Sequence, residues 1–293
     1  MKGRWVRAGY AVVVFALVVG VWELVKFAVP ERGVSIGAQR VLPRTGDAAL
    51  PHVWSVVTVL GERDGTGTVG TTLVRTAGFT LGLALLALAI GAVVGVLLAV
   101  LMQRFAWVER GLLPYIIVSQ TVPLIALAPL VAGWGGKIVI AGEPWRPWMS
   151  IAVIASYLAF FPVAVGMLRG LQAPAKASVE LLHSYSASWW ETLVHLRFPA
   201  AVPHLLPALR LAAAASVIGA VVAEISTGTA GGIGRQIIVF SQQATGDASR
   251  LFAAVLAAAL LGVVITAVVG LIELALRRYS RPPGSVDATG PGR

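Results

Sequence analysis

The 293-residue chain contains no cysteine. Disulfide frameworks, thiolate metal sites and cysteine nucleophiles are thereby excluded, while the redox compartment stays open. Histidine is scarce as well: His52, His183, His195 and His204 fall in loops or at a span edge, without the spacings from which zinc sites are built. Charge is the third shortage, with only 12% of residues Asp, Glu, Lys or Arg against about 25% in a soluble domain. The phosphate loop G-x-x-x-x-G-K-[ST] is missing too. Its nearest approach, "GWGGKI", has Ile138 where a Ser or Thr must hold Mg²⁺.

What the chain has instead is apolar length: 57% of its residues are hydrophobic and the mean hydropathy is +0.84. Segments 8–29, 77–102, 112–134, 149–168, 205–226 and 251–276 each supply the roughly 20 apolar residues with which a helix crosses a bilayer. A helix also satisfies its own backbone there, so the predicted class is an all-α membrane protein with six transmembrane helices. The N-terminus has the basic head of a signal peptide. Its apolar run is too long, however, and no small-x-small cleavage site follows, so it is expected to remain as an anchor.

The formal charge of +10 is scattered between the spans, which reads as topology and not as a nucleic-acid face. An even number of spans puts both termini on one side. Connections on that side carry twelve Lys and Arg and those opposite carry eight, predicting cytoplasmic termini in a cell (plasma or inner) membrane. The expected organisation is an N-terminal helix and outward-facing loop over 1–70, a five-span core over 71–278 and a disordered cytoplasmic tail over 279–293.

Several features inside the spans carry candidate roles. Gly78 and Gly82, then Gly91 and Gly95, form small-xxx-small pairs that admit a close helix neighbour, read as packing within one subunit. The third span has Pro114, Pro123 and Pro129 around Ser119, Gln120 and Thr121. It should be kinked, and polar groups there need other helices or a wet cavity. Ser119 and Gln120 are therefore candidates for lining a translocation pathway, Gln120 equally for bonding a neighbouring helix. Glu23 and Lys26 lie one turn apart and are expected to offset each other. Arg210 is expected to snorkel. Glu224, near the outer end of its span, reads either as a structural partner or as a gating or substrate residue. The "TAGGIGR" run that follows is expected to be an outward-facing turn.

One stretch breaks the apolar pattern: "ELLHSYSASWWETLVHLRFP", residues 180–199. Ser188 and Glu191 have the spacing of a capping box, so a short helix should begin at Trp189. The expected sequence is helix, break near Ser186, helix, and a stop at Pro199. Tyr185, Trp189 and Trp190 beside Glu180, Glu191 and His195 make either a protein contact surface or an interfacial helix resting at lipid headgroups.

This stretch resembles the EAA loop of binding-protein-dependent importer permeases of the ATP-binding-cassette class: E-A-A, three residues, G, nine residues, I-x-L-P. Glu180 falls on the Glu, Leu181 and Leu182 on the two Ala, Ser186 on the Gly, Leu196 on the Ile, Phe198 on the Leu and Pro199 on the Pro. Spacing is kept, but identity only at Glu180 and Pro199. The Ser at the Gly position matters if the break is left-handed, a conformation that costs a non-Gly residue about 1–2 kcal/mol. From about Thr71 to Arg278, the blocks "SQTVPLIALAPLVAGWGG", "FFPVAVGMLRGL", "PAAVPHLLPALRLA", "VVAE" and "GGIGRQI" come in the order of the nitrate, sulfonate and taurine branch.

The resemblance implies a type I importer permease fold, in which the loop forms coupling helices that dock on a partner ATPase through Glu180, Ser186, Trp189, Trp190, Glu191 and Pro199. Expected partners are ATP-binding-cassette ATPase subunits, a second permease copy forming a homodimer, an external solute-binding protein and the lipid bilayer, with no nucleic acid. No cofactor is expected in this chain, ATP and Mg being bound by the ATPases, and the chain itself is not expected to be an enzyme. The branch implies small organic anions such as sulfonates, or nitrate. The "SQTVP" and "FFP" blocks resemble permeases for thiamine or pyrimidine precursors and riboflavin, and the reading leans to this heterocyclic class. An intramembrane enzyme would need a catalytic constellation inside the spans, and a passive channel would conduct without ATP.

Overall fold

A computed structural model describes residues 2–31, 34–36, 39–42, 45–140 and 142–276; the tail predicted over 279–293 lies outside them. The elements run α1 (Lys2–Ala28), β1 (Val34–Ile36), β2 (Gln39–Leu42), α2 (Val53–Thr58), β3 (Arg63–Asp64), β4 (Gly67–Thr68) and α3 (Val69–Arg104). Then follow α4 (Ala106–Ser119), α5 (Leu124–Gly135), β5 (Val139–Ile140), β6 (Glu143–Pro144) and α6 (Pro147–Leu171). The chain continues as α7 (Lys176–Ser184), α8 (Trp189–Thr192), a π-helical turn (Leu193–Arg197), α9 (Phe198–Thr227), α10 (Ile233–Gln243) and α11 (Ser249–Leu276). The described strands pair only as three two-stranded antiparallel hairpins.

Among the described residues, Val69–Arg104, Pro147–Leu171, Trp189–Thr227 and Ser249–Leu271 are long and apolar enough to cross a membrane, and the pair α4–α5 is a fifth candidate. Each coincides with a predicted span, and the predicted span 8–29 corresponds to α1. The third span is more than kinked: α4 and α5 meet at 102°. Pro123 sets the break. It stands at the N-cap of α5 with extended backbone, and a proline disfavours helical geometry in the residue before it. Pro114 and Pro129 stay inside their helices. The "TAGGIGR" run turns at Gly231, whose φ is +103°, but from Ile233 onward it is the helix α10 and not a loop.

The chain divides into two compact units. In the first, residues 1–79 and 230–260, the polar groups of α1 fasten the following loop. Trp22 donates to the Pro51 carbonyl (3.0 Å) and meets Phe252 edge-on at 5.4 Å. The Glu23 carboxylate accepts from the Val53 amide (2.9 Å) and lies 2.8 Å from His52 Nδ1. Lys26 donates to Asp47 and to the Leu50 carbonyl (2.6 Å). The expected Glu23–Lys26 offset persists as a charge interaction along one helix, and the loop adds a hydrogen-bonded partner for each group. The Lys26 ammonium holds the Asp47 carboxyl below its ordinary range.

In the second unit, residues 80–229 and 261–293, α6 lies against α3, α5 and α9. Small residues make the contacts. A Cβ on Gly91 would stand 2.8 Å from Ala159 Cβ, and one on Gly95 would stand 2.8 Å from the Phe160 carbonyl and Val163 Cβ. Gly170 faces Ala201, and Gly219 faces Ala155, with the same closeness. At Gly78 and Gly82 an added Cβ would meet nothing within 4 Å, so only the second predicted glycine pair forms a seam. Arg210 does not merely snorkel; it pairs with Glu273 of α11.

Packing this close predicts opposite outcomes for two alanine substitutions. Gly95→Ala should cost about 1–3 kcal/mol by overpacking. Gly82→Ala should be neutral or gain up to about 1 kcal/mol through helix propensity. Thermal unfolding of the detergent-purified chain separates them.

Candidate functional site

The polar stretch between α6 and α9 folds by local rules. α7 ends in a paired hydrogen-bond pattern: the Ala187 amide donates to the Leu182 carbonyl (3.0 Å) and the Ser186 amide to the His183 carbonyl (2.9 Å). This is the Schellman motif, whose geometry calls for a left-handed residue after the helix cap. Ser186 is that residue, with φ +59°, and it is the one non-glycine with positive φ among the described residues. The break is therefore left-handed and carries the cost of about 1–2 kcal/mol for a non-glycine residue.

Two residues later the predicted capping box is present. Glu191 N donates to Ser188 Oγ (3.2 Å) and Ser188 N donates to Glu191 Oε2 (2.6 Å), each orphan amide satisfied by the other residue. Trp189 then starts α8.

Pro199 does not stop the helix. It lies directly after the π-helical turn, at the start of α9, where its fixed φ suits the helix. Through the π-helical turn, α8 and α9 run on as one helical stretch, Trp189–Thr227. Arg197 in that turn donates to the Leu171 carbonyl (2.9 Å), placing a cation on the C-terminus of α6 as the helix dipole favours. Gln172, just beyond, donates to Glu109 of α4 (2.9 Å).

The outer face of this element is exposed and aromatic. Tyr185 is 77% and Trp190 65% exposed, and Leu181 and Val194, close to them in sequence, are exposed too. Glu180 is exposed on α7. Trp189 is half-buried and meets Trp190 edge-on, centroids 4.9 Å apart. Beneath it lies a core of Ala99, Met102, Ile116, Leu168, Leu193 and Ala201, against which Trp189 and Phe198 pack. The Arg104 guanidinium stands 5.0 Å from the centre of the Trp189 ring and 5.6 Å from that of Phe105, a cation–π geometry of about 0.5–1 kcal/mol at a wet site.

The predicted pathway residues lie apart from this surface in the sequence and in two groups. Ser119 and Gln120 end α4 at the α4–α5 break, both half-buried. The Tyr157 hydroxyl of α6 donates to the Ser119 carbonyl, Ser119 Oγ donates to the Ile116 carbonyl (2.8 Å), and Gln120 Nε2 lies 3.4 Å from Ser119 Oγ. Glu224 is fully buried in α9 and accepts from Thr80 Oγ1 of α3 at 2.8 and 3.1 Å.

Sequence reading missed Thr80, Tyr157, Arg104 and Arg197. Thr80 and Tyr157 are single polar groups in apolar runs. Arg104 and Arg197 counted only as topology charges.

Comparison with known proteins adds the family. Residues 91–278 match the model of the binding-protein-dependent transport system inner membrane component. The formylaminopyrimidine transport permease protein ThiX of Halalkalibacterium halodurans is 35% identical over 145 residues, 50% of this chain and 54% of that protein. The riboflavin transport system permease protein RibX of Chloroflexus aurantiacus is 27% identical over 173 residues, 59% and 60% of the two chains. The putative aliphatic sulfonates transport permease protein SsuC of Bacillus subtilis is 26% identical, over 65% and 64%. The matches thus span little more than half the length of the first two relatives. A solved amino acid ABC transporter chain, crystallised with histidines, shares the fold with a TM-score of 0.54 at 20% identity, covering 71% of this chain and 95% of that one.

The left-handed serine yields a direct test. Ser186→Gly should raise stability by about 1 kcal/mol, since glycine carries no Cβ penalty there. Ser186→Val should lower it, and calorimetry of the purified chain reads both.

Proposed function

Because the chain belongs to the family of binding-protein-dependent transport system inner membrane components, we propose that it is the membrane-spanning permease subunit of an ATP-driven importer. The observation that carries this reading is the element over residues 176–199. Two short helices joined through a left-handed Ser186 present exposed Tyr185 and Trp190 beside Glu180, in a chain whose other long helices are apolar. Aromatic anchors with a polar rim are what a protein partner reads.

In this reading the chain spans the cell membrane six times with cytoplasmic termini, pairs with a second permease, a copy of itself, and receives solute from an external binding protein. ATP and Mg belong to the ATPase subunits that dock on Glu180, Ser186, Trp189, Trp190, Glu191 and Pro199. Nucleotide-driven approach of the two ATPases draws the docked surfaces together and favours the outward-facing state. Hydrolysis resets it, and no covalent chemistry takes place in this chain.

Ser119 and Gln120 at the α4–α5 break are proposed to border the pathway. Glu224, buried against Thr80, is proposed to act through helix position at the pathway's outer half. The substrate class follows the relatives: a small heterocyclic vitamin precursor ahead of a small organic anion.

The test is association. Glu180→Arg, at an exposed position, should leave folding intact and reduce co-purification of the ATPase at least tenfold, with uptake lost in parallel. Unchanged capture and uptake would sink the docking reading, and solute flux without ATP in liposomes would replace the importer with a channel.

A further inference from the structure

The exposed aromatic surface is joined to the membrane helices by two routes, and only one of them is the chain itself. Covalently, α8 runs through the π-helical turn into α9. The second route is a contact. Arg104, last residue of the 36-residue helix α3, lays its guanidinium on the face of Trp189 at 5.0 Å. Trp189 in turn meets the exposed Trp190 edge-on at 4.9 Å.

The surroundings make this contact stiff. Ala99 and Met102 of α3 are fully buried in the same core as Leu193 of the π-helical turn and Ala201 of α9, with Trp189 packed on it. Farther along, α3 is held to α6 by the Gly91 and Gly95 contacts. A guanidinium suits this place: it is planar, always charged, and stacks on a ring face, whereas an ammonium on a flexible stem does not. Among the described residues Arg104 has no carboxylate partner, and its guanidinium meets the Trp189 and Phe105 rings instead.

We propose that Arg104 is a positioning residue for coupling: its stack on Trp189 transmits displacement of the aromatic docking surface to α3, in parallel with the covalent route into α9. This rests on the docking reading above. Arg104 touches neither nucleotide nor solute. It acts through Trp189, and it makes α3 and α9 move as partners when the surface is pulled.

Since the chain has no native cysteine, single spin labels can be placed without background. Leu97→Cys reports on α3 and Ile218→Cys on α9, both positions being exposed. The importer, purified from its own cells through a tag on this chain together with its ATPase, is reconstituted in lipid. Label mobility is then read with and without the ATP analogue AMP-PNP and Mg²⁺.

In the native background both labels should respond. Arg104→Gln should shrink the response at Leu97→Cys at least threefold, leave that at Ile218→Cys unchanged, and retain ATPase capture. Trp189→Leu should do the same at Leu97→Cys, whereas Trp189→Phe, which keeps a ring face, should restore it. An undiminished response at Leu97→Cys in Arg104→Gln overturns the link while leaving the permease reading standing. So does an equal loss at both labels, or loss of ATPase capture in Arg104→Gln, because either makes Arg104 a general support. If neither label responds in the native background, the coupling reading and the link fall together.

Discussion

The structure of the second unit depends on how closely α6 approaches α3 and α9. In lipid there is no hydrophobic gain from burying one apolar helix against another, so association rests on van der Waals contact and hydrogen bonds. Gly91 and Gly95 on α3, Gly170 on α6 and Gly219 on α9 remove the side chains that would hold the backbones apart. Their neighbours are Ala155, Ala159, Ala164 and Ala201, all buried. A seam of such small residues is intolerant of added volume, which makes the three helices a rigid frame on which polar groups can be positioned.

The polar groups exploit that frame in different ways. Arg197 reaches from the π-helical turn to the last carbonyl of α6, so the junction leading out of the exposed aromatic surface is fixed to the helix that the frame is built around. Tyr157 of α6 holds the Ser119 carbonyl at the end of α4, where the α4–α5 break releases backbone acceptors. Glu224 lies fully buried with Thr80 as a donor. An ionisable side chain at membrane depth is expensive, and a hydroxyl from the facing helix is the sort of partner that lets it stay there.

Much of this was legible in the residues because the signals are local. Apolar length marked the spans, Ser188 and Glu191 marked the capped helix, and the family resemblance was carried by spacing. Where the structure departs from expectation, context outweighs a local rule. Glu23 and Lys26 also take loop partners at His52, Val53, Asp47 and Leu50, none of which helical spacing exposes. Proline ends helices from inside, which is why Pro199 reads as a stop; directly after the π-helical turn it is carried within the helical stretch Trp189–Thr227. Pro123, and not Pro114 or Pro129, breaks the third span because the helix before it is already tightening. Gln120, Thr121 and Val122 each donate to the carbonyl three residues back.

Ser186 shows how the element over residues 176–199 keeps its shape where its sequence departs from the EAA pattern. The shape is written in hydrogen bonds between backbone groups, Ala187 to Leu182 and Ser186 to His183, followed by the reciprocal Ser188–Glu191 box. Side-chain identity enters only at the left-handed position and at the cap. Replacing glycine by serine raises the energy of one residue by about 1–2 kcal/mol without removing any of those bonds. The angle between α7 and α8 is therefore kept while the residue that marks it in sequence changes. Spacing outlasts identity in this loop because spacing decides which carbonyl each amide meets.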